Sequence, residues 1–118
     1  MQREIKFRAF QDNQMLHSPL NSNYGNTRFF GMLYEDAPIM QFTGLKDKHD
    51  KEVYEGDFVK SDSHNPSTYL IEFIEGGFCA THKDLPSIDI NHFYPSVGCM
   101  FEVIGNIQEN EELKAGVV

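Results

Sequence analysis

Apolar and polar residues alternate along several short segments of this 118-residue chain, and that alternation predicts strands. In "REIKFRAF" the apolar residues Ile5, Phe7 and Ala9 are spaced two apart, which is the period of a strand with one buried face. Similar segments recur along the chain, separated by turn-forming Gly, Pro, Asn and Asp residues. These segments predict strands near residues 4–10, 28–34, 39–43, 57–61, 68–75, 78–83 and 101–107. The polar stretch from 11 to 26 predicts a hairpin turn followed by a long loop.

The stretch "TYLIEFIEGGFCATHK" predicts the clearest hairpin of the chain. Its turn is centred on Glu75-Gly76 or on Gly76-Gly77. Both choices place the same side chains together on each face of the hairpin, because side chains alternate along a strand. One face is predicted to point to the core and the other to be only partly buried. The predicted core face carries Tyr69, Ile71, Phe73, Phe78, Ala80 and His82.

The charged stretch "FTGLKDKHDKEVYEGDFVK" is interpreted as architecture rather than as a chemical site. Residues 46–51 combine charges and turn formers without an apolar period, which predicts a solvated loop. The Glu55-Gly56-Asp57 segment predicts a turn in which Gly56 takes a positive φ angle. Asp57 is expected to accept backbone N–H bonds within that turn.

The chain as a whole is predicted to be mainly β, with little helix. No segment has the sustained period of a long amphipathic helix, although the tail could form one or two helical turns capped by Asn110 and ended by Gly116. Short strands and glycine-rich turns favour a small barrel or sandwich. We expect a single domain over 1–118: an N-terminal β-strand and loop region over 1–55, an SH3-like, barrel-like region over 56–107, and a C-terminal tail over 108–118.

Composition and charge narrow the function classes. The formal net charge is −8, so the summed field repels phosphate backbones and disfavours bulk binding of nucleic acid. The first ten residues lack the apolar core of a signal peptide, and no run of apolar residues is long enough to span a membrane, so a cytoplasmic, non-membrane protein is expected. Cys79 and Cys99 are too few for a disulfide framework and are expected to be reduced, buried thiols.

Three segments resemble the YopX family of small phage and prophage proteins. They are "REIKFRAF", "FTGLKDKHDKEVYEGDFVK" and "FEVIGNIQEN", and together they span almost the whole chain. Two positions depart from the family pattern: Phe10 stands where Trp is common, and His49-Asp50 stands where Asn-Gly is frequent, which predicts a longer or looser loop. The resemblance implies a cytoplasmic, phage-encoded protein of mainly β fold, and it implies no known activity.

The chain contains residue types that can bind metals or act in catalysis, but their spacing favours structural roles. Cys79, His82, His92 and Cys99 are of zinc-binding types, but residues three apart on a strand face opposite sides, so Cys79 and His82 converge only across a bulge. No catalytic motif accompanies the carboxylates of Glu55, Asp57 and Glu72. We therefore expect no catalytic, cofactor-binding or metal-binding residues and no cofactor.

Two function hypotheses remain open from the sequence. The first is a non-catalytic accessory module that binds host or phage proteins, and the second is a small β-barrel protein associated with nucleic acid. The lysines Lys46, Lys48 and Lys51 could serve the second, but interleaved acidic residues largely cancel their charge. Exposed strand edges or apolar patches also predict a possible homo-oligomer.

Overall fold

Nine strands form two antiparallel sheets in the computed structural model, which describes residues 5–18, 29–61, 67–90 and 101–118. The first sheet has the order β2-β1-β3-β4 and comprises β1 (Phe7–Gln11), β2 (Gln14–His17), β3 (Ile39–Lys46) and β4 (Glu52–Tyr54). The second has the order β8-β7-β6-β5-β9 and comprises β5 (Asp57–Ser61), β6 (Thr68–Ile74), β7 (Gly77–His82), β8 (Leu85–Asp89) and β9 (Phe101–Asn106). One sheet curls into a half-barrel. The prediction of a mainly β chain is confirmed.

Two-residue turns close the hairpins β1–β2 and β6–β7. Asp12 and Asn13 have φ angles of 52° and 64°, and Glu75 and Gly76 have φ angles of 50° and 85°. Two successive residues with positive φ match the twist of the flanking strands, and Asp, Asn and Gly tolerate this conformation well. The β6–β7 turn is therefore centred on Glu75-Gly76, one of the two alternatives that the sequence left open.

Apolar clusters cover part of each face of the second sheet. One face carries the larger apolar cluster, to which β4 contributes Val53 from the first sheet. On the other face, Phe58 and Leu70 pack with Val117, just after the C-terminal 3-10 helix Glu111–Gly116. Leu70 lies on the face of the hairpin that was predicted to be only partly buried. It is 2% exposed because the tail covers it, so the prediction was wrong at this residue.

The tail lies where the sequence predicted helical turns after Asn110. The side chain of Asn110 makes no capping bond to the 3-10 helix, and its Oδ1 instead accepts the N–H of Asn106 at 3.1 Å. Gly105 permits this approach, since a Cβ at that position would lie 2.6 Å from the Asn110 oxygen. The Lys83 N–H also donates to the Val117 carbonyl at 2.7 Å. These bonds hold the tail against the second sheet.

The strand predicted over 28–34 was wrong within the described residues, where 29–31 form a helical turn. The N–H groups of Met32 and Leu33 bond to the carbonyls of Phe29 and Phe30, each at 3.1 Å. The two rings contact each other at 5.8 Å, and Phe30 packs edge-on against Phe7 at 4.9 Å. A strand would send the neighbouring rings to opposite faces, so the packing of both rings favours the turn.

The other strands predicted from the alternation are present, but β2, β4 and β8 were not predicted as strands. The chain passes from the first sheet to the second between Tyr54 and Asp57. The three-part division of the single domain stays a prediction. Within the part of the chain that the structure describes, no helix is long and apolar enough to cross a membrane.

Candidate functional site

A buried ion pair connects β1 to the segment where the chain enters the second sheet. Arg8 of β1 and Asp57 of β5 lie 2.5 Å apart, and their side chains are 7% and 1% exposed. The Tyr54 N–H donates to the second Asp57 oxygen at 2.8 Å, which confirms the backbone bond predicted for this turn. The Tyr54 ring lies 4.6 Å from the Arg8 guanidinium carbon. Burial raises the pKa of the Asp57 carboxyl, and Arg8 and the Tyr54 N–H oppose that rise.

Gly56, at the centre of the same segment, has the positive φ angle that the sequence predicted, 88°. Its N–H donates to the carbonyl of Ile71 at 2.7 Å, and its carbonyl accepts the N–H of Ile107 at 2.8 Å. Gly56 is therefore bonded both to β6 and to the residue that follows β9. Asp57 and Gly56 therefore both stabilise the junction of the two sheets.

Asp47 organises the loop that was predicted to be solvated. Its side chain is buried, and it accepts the N–H groups of His49, Lys51 and Val103, each at 2.9 Å. Burial disfavours the charged form of Asp47, but these three bonds outweigh it, so the pKa of the carboxyl is lowered. The prediction of a solvated loop was wrong for Asp47, and the looser loop expected from His49-Asp50 is held in place by this carboxylate.

The zinc-type residues that the structure describes do not converge. Cys79 pairs with Glu72 and Asp89 across the sheet, whereas the His82 ring contacts Tyr69 at 6.1 Å on the opposite face. Cys79 is a partly buried free thiol. His92 and Cys99 lie outside the described residues, and among the described ones no group of three or more His, Cys, Asp or Glu could hold a metal ion.

Phe73 is the feature that sequence reasoning missed. It was predicted on the core face of the β6–β7 hairpin, but it is 50% exposed, while Ile71, Phe78 and Ala80 on that face are buried. Its ring packs edge-on against the Phe78 ring, with the two ring centroids 5.0 Å apart. Closeness to the turn was no signal of this exposure, because Phe78 lies opposite Phe73, is equally close to the turn and is buried.

Two clefts flank Phe73 where β3 of the first sheet meets the β6–β7 hairpin of the second. The larger has a volume of about 620 Å³ and is walled by Gln41, Thr43, Gly44 and Leu45 of β3 and by Phe73, Gly77 and Phe78 of the hairpin. The smaller, of about 290 Å³, lies between Ile39 and Met40 of β3 and Ile71 to Phe73 of β6. We call Phe73 and these two clefts the Phe73 surface. The larger cleft has the size of a typical ligand site.

Three acidic residues border the clefts, but the register places the side chains of Glu72 and Asp89 on the face of Cys79, opposite Phe73. Glu55 and Glu72 border the smaller cleft and Asp89 borders the larger, and none of the described lining residues is Lys, Arg or His. The Glu55 carboxylate accepts the N–H of Gln41 at 2.9 Å, and that of Glu72 accepts the Thr81 hydroxyl at 2.8 Å, so both charges are held in place.

Burial and the neighbouring carboxylates shift the pKa of the Cys79 thiol. Burial raises its pKa, and the negative charges of Asp89, Glu72 and Glu75 raise it further. Such a thiol stays protonated near neutral pH and is a poor nucleophile. The carboxylates of Glu72 and Asp89 therefore surround Cys79 with negative charge on the face of the sheet opposite Phe73.

Comparisons with known proteins agree on one group of relatives. A family model described as "YopX protein" matches residues 4–114. The crystal structure of protein EF1440 from Enterococcus faecalis aligns with a TM-score of 0.64 and 28% identity, over 95% of this chain and 99% of that one. The crystal structure of protein yopX from Bacillus subtilis aligns with a TM-score of 0.58 and 18% identity, over 92% and 96% of the two chains. The curated proteins include no match.

Proposed function

The chain belongs to the YopX family, and from that premise and the Phe73 surface we propose that it is a non-catalytic module that binds another protein. The observation that supports this most is Phe73 itself, a large apolar side chain that is half exposed, packed edge-on against Phe78 and flanked by two clefts. Aromatic anchors that pack into a partner supply much of the binding energy of protein interfaces. The family resemblance further supports an accessory role in phage or prophage biology, in the host cytoplasm.

The arrangement of buried polar groups also favours binding over catalysis. Among the residues that the structure describes, the buried carboxylates are those of Asp47 and Asp57, and they are occupied by backbone N–H groups or by Arg8. Each stabilises a loop or the junction of the sheets. A nucleic-acid role gains no support from the Phe73 surface, whose described charges are all negative.

Capture of a partner by matched single variants tests this function. Immobilised wild-type protein, Phe73→Ala and Ile74→Ala are exposed to lysate of a phage-carrying host, and retained proteins are quantified by mass spectrometry. Ile74 is the control because it is the next residue, is 39% exposed and borders neither cleft. We expect a protein that wild type and Ile74→Ala retain and that Phe73→Ala retains about tenfold less.

Thermal denaturation of each variant verifies that it folds. Phe73→Ala loses its edge contact with Phe78, which is expected to cost only about 1 kcal/mol. Equal retention by folded Phe73→Ala and wild type would contradict the proposed site. Retention of nucleic acid in place of protein would favour the alternative function.

A further inference from the structure

We propose that the chain forms a symmetric dimer in which the open edge of β2 pairs with β2 of a second copy. Three features of the molecule support this: the main-chain groups at that edge, the protection of the other sheet edges, and the charge around β2. The inference goes beyond the proposed function and does not rest on it, because β2 borders neither cleft of the Phe73 surface.

The register of the β1–β2 hairpin determines which main-chain groups face outwards. The two-residue turn makes Gln11 and Gln14 a hydrogen-bonded pair. Bonded and non-bonded pairs alternate along an antiparallel ladder, so every second residue of β2 is bonded to β1. The bond from the Ser18 N–H to the Phe7 carbonyl, at 2.9 Å, fits this alternation.

The N–H and C=O groups of Met15 and His17 therefore point away from β1, towards the open edge. Among the described residues, none bonds to these groups. They are placed symmetrically about Leu16, so an antiparallel second β2, with the two Leu16 residues opposite each other, pairs all of them at once. Met15 of each copy then exchanges main-chain bonds with His17 of the other.

The other sheet edges are protected against such pairing. At β9, the Asp47 carboxylate accepts the N–H of Val103, and at β4 the Asp57 carboxylate accepts the N–H of Tyr54. At β8, Pro86 has no N–H to donate, and the register with β7 shifts. β2 contains no proline and its register with β1 is regular. An edge without protection is the one that pairs with another chain.

The stretch around β2 lacks the negative charge that the rest of the chain carries. A net charge of −8 makes contact between two copies unfavourable over most of the surface. Residues 13–34 contain no Asp or Glu, although the chain has 18 of them. Two copies therefore meet at the lowest electrostatic cost along this stretch, which favours a second copy as the occupant of the edge.

Apolar side chains beside the hairpin add contact area that a four-residue strand lacks. Phe30, Met32 and Tyr34 are 36%, 77% and 58% exposed. Phe30 packs on Phe7 of β1, and the Tyr34 N–H donates to the Gln11 side chain, so this segment lies against the hairpin. For an interface built from one short strand pair and these side chains, we expect a dissociation constant of about 1–100 µM.

Sedimentation velocity of the purified full chain, over about 1–500 µM, measures this association. We expect the average mass to rise with concentration from that of one chain towards that of two. Raising the salt concentration from about 50 mM to about 300 mM should strengthen the dimer, because salt screens the repulsion between two negatively charged copies.

Opposite charges at Leu16 test the register. In Leu16→Lys, and equally in Leu16→Glu, like charges face each other across the two-fold axis, so each variant alone should associate at least about tenfold more weakly than wild type. Mixed in equal amounts, the two variants should form a heterodimer, because the charges then attract. Leu85→Lys and Leu85→Glu are the controls: Leu85 is 41% exposed on the edge strand β8, and both should associate as wild type does.

Each outcome decides the inference. A wild-type chain that is monomeric at every concentration would overturn it, and so would Leu16 variants that each associate as wild type does. A mixture that stays monomeric, although circular dichroism shows both variants to be folded, would also overturn it. Dimers that are lost in folded Phe73→Ala or in the Leu85 variants would place the contact elsewhere and overturn it as well.

Discussion

Gly56→Val is expected to destabilise the fold strongly, because two independent costs act at this residue. With φ at 88°, a residue bearing a Cβ pays about 1–2 kcal/mol for the left-handed conformation. The new Cβ would also lie 3.1 Å from the Met40 sulfur and 3.4 Å from the Ile107 Cγ2, and such overpacking costs about 1–3 kcal/mol. The backbone cannot escape easily, since Ile71 and Ile107 bond both of its polar groups. The total is roughly 2–5 kcal/mol.

Gly77→Val is the matched control for this substitution. Gly77 lies in β7, has no positive φ angle, and leaves open space where the Cβ would stand. Valine favours strands and restricts the unfolded chain, so the stability of this variant is expected to equal or slightly exceed that of wild type. Any general cost of replacing glycine by valine is thus measured separately from the cost at Gly56.

Urea and thermal denaturation followed by circular dichroism measure the difference between the two variants. At about 4 °C per kcal/mol for a domain of this size, Gly56→Val should melt roughly 8–20 °C below wild type, with the urea midpoint lowered and its slope unchanged. A melting temperature of Gly56→Val equal to that of Gly77→Val would refute the reasoning. It would mean that the junction relaxes without cost and that this stretch is not architectural.

Three further predictions concern other parts of the chain. Arg8→Ala leaves Asp57 buried without its ion-pair partner and should lower the free energy of unfolding in urea by about 3–5 kcal/mol. The pKa of Asp47 is lowered from 3.8, so its stabilisation is present above that value and lost as pH falls below it; Asp47→Asn should flatten the decline of the urea midpoint between about pH 4 and about pH 2. The homo-oligomer expected from exposed edges is checked by light scattering, where a monomer at all concentrations would contradict it.

The sequence predicted those parts of the fold that depend on local pattern. The alternation in β5, β6, β7 and β9 and the glycine at position 56 each indicated a structure that is present. The prediction succeeded there because the period of a strand and the freedom of glycine do not depend on distant contacts.

The errors arose where distant residues decide the outcome. The strand predicted at Phe29 and Phe30 became a helical turn because Phe7 offers a packing partner on one side. The acidic residue Asp47 is buried because β9 supplies the N–H of Val103, which the local sequence does not reveal. Charge patterning indicates exposure only when no remote backbone group binds the charge.

The candidate site was missed for a related reason. The alternation of β6 assigns Phe73 to the face of Ile71, and Ile71 is indeed buried. Whether the same face is still covered two residues further on depends on where the first sheet ends, and that is a property of the assembled sheets. The residues that border the two clefts come from both sheets, so their proximity also required the structure.

The most direct test of the central claim is to map by NMR where a peptide binds. The ¹⁵N-labelled chain is titrated with a peptide that was selected for binding to the whole protein, without regard to Phe73. The Phe73 surface predicts that the largest amide shifts fall on Gln41 to Leu45 and on Phe73 to Phe78, and that Phe73→Ala abolishes them. Shifts concentrated on the C-terminal 3-10 helix or on β2, with Phe73→Ala responding as wild type does, would contradict it.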